Sequence, residues 1–187
     1  MDQSGQEFSD KGIVEYILKG NKDAYTLLVE KYKDVLYRIS ISAVCDCDAA
    51  EDITQEAFLI AYKNLLRLNN PSSFKAWLIG ITRNLCRDYK RKQIDAPISL
   101  DYLSEQAIEI PEQKKTNEID KDLFSLVKKT IMGLPENYRE IMLLRYNDDT
   151  SYEKICEILG ISMSAVKSRI YHAKKEIIKK LEKEGII

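Results

Sequence analysis

Ser164, Lys167, Ser168, Tyr171 and His172 fall at spacings that share one face of a helix, and their side chains suit contact with duplex DNA. A lysine can donate to guanine edges in the major groove, while serine hydroxyls and backbone amides hold phosphates. Arg169 and Lys174 extend this surface with salt-sensitive attraction for the DNA backbone. The residues before it have the grammar of a helix-turn-helix. Thr150 and Glu153 suggest a capping box, Ile155 and Leu159 point inward, and Cys156 is small where two helices approach closely. Gly160 supplies the turn, Ser162 caps the next helix, and Val166 with Ile170 anchors it. A helical hairpin with a basic outer face is the plainer alternative, and the spacing of Gly160, Ser162 and Val166 argues against it.

A second constellation combines Phe74, Trp77, Arg83, Asn84, Arg87, Tyr89 and Arg91, which interleaves aromatic rings with cations and an amide around one helix. Unpaired bases stack on such rings with about 1–3 kcal/mol per base, so the surface suits separated DNA strands. Phe74 and Trp77, three residues apart, also have the spacing of core residues. A third set, Asp52, Gln55 and Glu56, places two carboxylates and an amide on one helix face, as a docking surface or a solvating one. No nucleophile, phosphate loop or metal constellation appears, so no catalytic residue, cofactor or small-molecule substrate is expected. His172 is the only histidine, and Cys45, Cys47, Cys86 and Cys156 form no CxxC pair, which speaks for reduced, mostly buried thiols rather than a metal site.

Positioning these groups requires helices, and helical periodicity runs through nearly the whole chain of 187 residues. The expected class is all-α: two small helical domains joined by a flexible linker, the second domain carrying the helix-turn-helix. The first helix spans about Asp10 to Lys19 and stops at Gly20; the second starts near Lys22. Tyr25, Leu28, Val29, Tyr32, Val35, Leu36 and Ile39 form its apolar stripe. A third helix covers 48–67 with Ala50, Ile53, Ala57, Phe58, Ile60 and Ala61 inward. Asn70 and Pro71 break the chain before a fourth, from Ser73 to about Lys92. The expected division is 1–93, a linker at 94–118 and a second domain at 119–187. That second domain opens with one helix to Met132, breaks at Gly133 to Pro135, and resumes through Tyr138, Ile141, Met142 and Leu144.

The formal net charge of −1 conceals strong segregation. Residues 83–93 hold five basic side chains against Asp88, and residues 167–183 hold seven against Glu176 and Glu182. Between them, residues 101–122 hold seven acids against three lysines. With no long apolar run and a polar, acidic amino terminus, the reading is cytoplasmic.

Taken together and in this order, the motifs resemble the extracytoplasmic-function group of bacterial sigma factors. Ala50 to Phe58 is similar to that family's polymerase-binding helix. Phe74 to Leu78 with Ile81, Arg83, Asn84, Leu85, Asp88 and Tyr89 is similar to its promoter-melting helix. Leu134, Pro135, Glu136, Tyr138, Arg139 and the helix-turn-helix through Lys174 resemble its second conserved domain. The resemblance implies that Asp52, Gln55 and Glu56 dock on the clamp helices of the largest subunit of core RNA polymerase, with a further contact at the flap. It implies that the Leu66 to Ser73 loop and the helix bearing Phe74, Trp77, Arg83, Asn84, Arg87 and Arg91 capture the −10 element of promoter DNA. The −35 element would meet Ser164, Lys167, Ser168, Arg169, Tyr171, His172 and Lys174, and the linker would thread into the polymerase interior. An anti-sigma factor, often membrane-anchored, is implied as a further partner. Lys167 and His172 stand where many relatives carry arginine, which leaves the −35 sequence open. The competing reading is a stand-alone dimeric helix-turn-helix regulator, which would bind DNA tightly without polymerase.

Overall fold

Apolar stripes at helical spacing can be satisfied only by burial against other helices, and the computed structural model shows how. It describes residues 9–95, 126–145, 150–183 and 185–186. Among them all regular structure is helical: α1 (Asp10–Leu18), α2 (Tyr25–Val44), α3 (Cys47–Asn64), α4 (Phe74–Asp95), a helical stretch over residues 126–132 (α5), α6 (Glu136–Arg145), α7 (Tyr152–Leu159) and α8 (Met163–Lys183). Short 3-10 turns occupy Lys22–Ala24, Leu65–Arg67 and Pro71–Ser73.

The breaks have local causes. Ser9 accepts a hydrogen bond from the Gly12 amide at the start of α1, and Gly20, with φ +108°, follows its end. Between α2 and α3, Cys45 adopts the left-handed conformation and donates its amide to the Ile41 carbonyl. Asp46 then caps α3 by accepting from the Ala49 amide at 3.0 Å, and its other oxygen accepts from the Tyr89 hydroxyl. The Cys45, Asp46, Cys47 corner is therefore a helix stop joined to a helix start. Asn70 accepts from Ser72, and Pro71 opens the turn that leads into α4.

Helices α2, α3 and α4 pack together, with α1 lying across α2 and the Pro71–Ser73 turn. Leu28, Tyr32, Leu36 and Ile39 of the α2 stripe are buried, and Tyr25, Val29 and Val35 are partly buried around them. In α3, Ala50, Ile53, Ala57, Phe58 and Ala61 are buried as expected, whereas Ile60 is only partly covered. Two helix limits shift: α4 begins at Phe74 after a 3-10 turn and continues to Asp95, and α3 closes at Asn64. The expected linker lies, from residue 96 onward, outside the described residues.

The carboxy-terminal helices do not stand apart from this bundle. Ile141, Leu144, Ile155, Ile158, Leu159, Val166 and Ile170 join the core cluster that contains Leu28, Leu36, Phe74 and Leu78. A second cluster unites Ile41 and Ala50 with Ile131 and Leu143. Helix α6 packs on both α2 and α8. Two arginines clasp this boundary reciprocally. Arg38 of α2, 9% exposed, donates to the Leu143 carbonyl at 3.1 Å. Arg139 of α6 donates to the Ser42 carbonyl at 3.1 Å and to the Cys45 Sγ. It also holds the Leu134 carbonyl at the break before α6, and its burial lowers the guanidinium below its ordinary pKa.

A candidate nucleic-acid interface

The recognition element is built from the turn outward. Helix α7 ends where Gly160 takes φ +65° and returns its amide to the Cys156 carbonyl at 2.9 Å. A side chain there would meet no atom within 4 Å, so the requirement for glycine is conformational, worth about 1–2 kcal/mol. The Ser162 hydroxyl accepts from the Ala165 amide at 3.3 Å and sets the start of α8. Ile155, Leu159, Val166 and Ile170 are buried, which fixes the rotation of α8. The cap of α7 differs from the expected Thr150–Glu153 box: Ser151 caps the helix by accepting from the Lys154 amide at 3.2 Å. Adjacent hydroxyl residues make either reading compatible with the sequence.

That rotation leaves Ser164, Lys167, Ser168, Tyr171, His172 and Lys174 exposed, with Arg169 partly covered. The His172 ring stacks on Tyr138 of α6 at 6.4 Å and 20°, and meets Tyr171 edge-on at 5.4 Å. Helix α6 thus orients one end of the basic face.

Helix α4 divides the second constellation. Asn84, Arg87 and Arg91 are exposed, while Trp77 and Arg83 are partly covered. Asn84 Oδ1 accepts from Arg87 at 3.2 Å, and Arg91 donates to Asp88 at 2.9 Å. Phe74 is a correction. It is fully buried between Tyr32 at 6.1 Å and Trp77 at 6.2 Å, so it supports the surface and cannot stack a base. Periodicity alone places Phe74 and Trp77 on one face without showing which ring lies beneath the other. Arg83 donates to Glu140 at 3.1 Å and Lys90 to Glu136 at 2.7 Å, pairings across units that the sequence analysis did not foresee.

On α3, Asp52, Gln55 and Glu56 are all exposed, above buried Ile53, Thr54, Ala57 and Phe58. Leu59 and Tyr62, also exposed, continue this face from Gln55 at four and seven residues, a spacing the sequence analysis did not exploit. The cysteines are all free, but only Cys86 is buried; Cys45, Cys47 and Cys156 are half-buried, against the expectation of mostly buried thiols. Burial pushes the Cys86 thiol above its ordinary pKa, which keeps it protonated.

The comparisons with known proteins follow this division of surfaces. The family described as Sigma-70 region 2 matches residues 28–94, and Sigma-70, region 4 matches residues 125–177. The ECF RNA polymerase sigma factor SigW of Bacillus subtilis (strain 168) is 31% identical over 94% of this chain and 98% of that protein. Among solved structures, the sigma factor RpoE from Bartonella quintana, in complex with the anti-sigma factor NepR, aligns with a TM-score of 0.58 and 25% identity, covering 84% of this chain and 96% of that one. CnrH, in complex with the cytosolic domain of CnrY, shares the fold with a TM-score of 0.61 and 22% identity over 94% of this chain and 98% of that one. A regulator built on a helix-turn-helix alone would leave the region 2 match and the end-to-end relationship with SigW without explanation. The chain belongs to the extracytoplasmic-function RNA polymerase sigma factors.

Proposed function

We propose that this protein is a dissociable specificity subunit that carries core RNA polymerase to promoters and assists strand opening, with residues 1–93 and 119–187 as its two working units. The observation that carries this reading is that one chain presents three outward polar faces, each backed by buried residues of the same helix. Asp52, Gln55 and Glu56 of α3 would meet the polymerase, and the exposed face of α8 would fix register on the −35 duplex. The α4 residues Trp77, Arg83, Asn84, Arg87 and Arg91 would hold the non-template strand of the −10 element. Unstacking a base costs a few kcal/mol, and its capture on this surface would offset that cost. No described helix is long and apolar enough to cross a membrane, in keeping with action on cytoplasmic DNA. The complex of the Bartonella relative with an anti-sigma factor supports a protein antagonist for this chain as well.

Promoter opening tests the reading. Asn84 lies exposed on α4 and away from the core, so Asn84→Ala should leave closed-complex binding nearly unchanged. It should reduce strand opening, read by permanganate reactivity of unpaired thymines, by about tenfold, the effect of one or two lost polar contacts. Equal loss of closed binding and opening would reject the assignment of α4 to strand capture.

A further inference from the structure

A hydrogen bond to a base edge is directional, so a short aromatic side chain reads that edge only when its ring is held in one plane. His172 is exposed on α8, and two tyrosines hold its ring. Tyr138 of α6 lies nearly parallel to the imidazole, with 6.4 Å between ring centres and 20° between planes, and Tyr171 meets it edge-on at 5.4 Å and 76°. Tyr171 is itself 65% exposed and belongs to the same helix, whereas Tyr138 is partly covered and comes from another. That other helix is firmly seated. The Tyr138 and Arg139 amides both donate to the Pro135 carbonyl at 2.9 Å, Leu134, Ile141 and Leu144 are buried, and α6 packs on α8. The Tyr138 ring therefore stands on a rigid support, outside the helix-turn-helix, at one end of the face that carries Ser164, Lys167 and Ser168. Stacking engages the face of an imidazole and leaves its edge, which carries both nitrogens, to a partner. A neutral imidazole offers one donor and one acceptor there, the two functions by which base pairs are told apart in the major groove.

We infer that Tyr138 is a positioning residue for promoter specificity: it fixes the plane of His172, whose edge reads one base pair of the −35 duplex. This rests on the assignment of α8 to that duplex made above. An exposed histidine free to turn would spread over several rotamers and meet the DNA backbone as readily as a base. Held against Tyr138, it enters the groove in the orientation it keeps there, so less conformational freedom is lost on binding. Tyr138 acts through the imidazole and not by touching DNA. Lys167 reaches the duplex as a charge on a flexible stem, and its contribution does not depend on that stack.

The test uses the tag-free full-length chain with core RNA polymerase and a duplex DNA pool carrying a randomised block, from which the wild-type holoenzyme selects its preferred −35 sequence. Affinities are then measured for the selected duplex and its single-base variants. His172→Ala should abolish the preference at one position and keep the others. Tyr138→Leu should lower discrimination at that same position by about three- to tenfold, the scale of one aromatic pair. Tyr138→Phe, which keeps the ring, should preserve it, and Tyr138→Leu added to His172→Ala should cost nothing further there. His172 is the sole histidine, so the free chain gives a single set of imidazole proton resonances. These should move when Tyr138→Leu removes the neighbouring ring and stay close to wild type in Tyr138→Phe. Equal weakening of every base variant by Tyr138→Leu, or a loss of helix content in circular dichroism, would mark a structural role and overturn the inference. Resonances unmoved by Tyr138→Leu would overturn it as well. Failure of α8 as the duplex reader gives a different result: Lys167→Ala and His172→Ala would both leave the selected sequence unchanged, which overturns the two readings together.

Discussion

Replacing Gln55 and Glu56 together by alanine should weaken binding to core RNA polymerase by about 2–4 kcal/mol, roughly 30- to 1000-fold in Kd. Both side chains are exposed on α3, and the residues that hold that helix, Ile53, Ala57, Phe58 and Ala61, face the opposite way. Truncation therefore removes groups available to a partner without opening a cavity. Alanine also has the higher helix propensity, so the thermal midpoint should hold or rise slightly. The measurement is co-migration of labelled chain with purified core enzyme, with circular dichroism alongside. Undiminished binding by a folded double variant would remove this face from the docking surface. Leu59 and Tyr62 continue the same face, so a graded loss across Glu56→Ala, Leu59→Ala and Tyr62→Ala would map how far it extends.

Phe74→Ala should cost about 3–5 kcal/mol of folding stability, the range for deleting a buried aromatic side chain. The ring is fully buried and touches Tyr32 and Trp77, so its loss leaves a void between α2 and α4. Domains of this kind have only about 5–15 kcal/mol of stability, so the variant should be marginal at growth temperature. Chemical denaturation followed by the fluorescence of Trp77, the sole tryptophan, reads the change directly. Phe74→Leu, which keeps much of the volume, should lose far less. A loss under about 1 kcal/mol for the alanine variant would contradict the buried placement.

The helices and the helix-turn-helix were legible because their signals are local. The α2 stripe from Tyr25 to Ile39 shows its period directly, and Gly160, Ser162 and Val166 each meet a need that arises within a few residues. The exposure of Asp52, Gln55 and Glu56 follows from the apolar residues between them. What was not legible depends on partners distant in sequence. Ile141 and Leu144 have the same apolar pattern whether α2 or their own unit covers them. Glu136 and Glu140 have the spacing of a solvating face, and nothing near them announces Lys90 or Arg83. Arg38 interrupts an apolar helix, a visible irregularity, yet its partner is the Leu143 carbonyl 105 residues away. The order of Phe74 and Trp77 in depth depends on Tyr32, which lies on another helix.

The core shared across α2 and α6 also governs how the free protein comes apart. Two units with private cores would melt separately, each in its own heat-absorption peak. Here Ile41, Ala50, Ile131 and Leu143 form one cluster, and Leu28 and Phe74 share another with Ile141 and Val166. Losing either unit strips apolar cover from the other and takes the Leu143 carbonyl from Arg38 and the Ser42 carbonyl from Arg139. Scanning calorimetry of the free chain should accordingly give a single endotherm whose van't Hoff and calorimetric enthalpies agree.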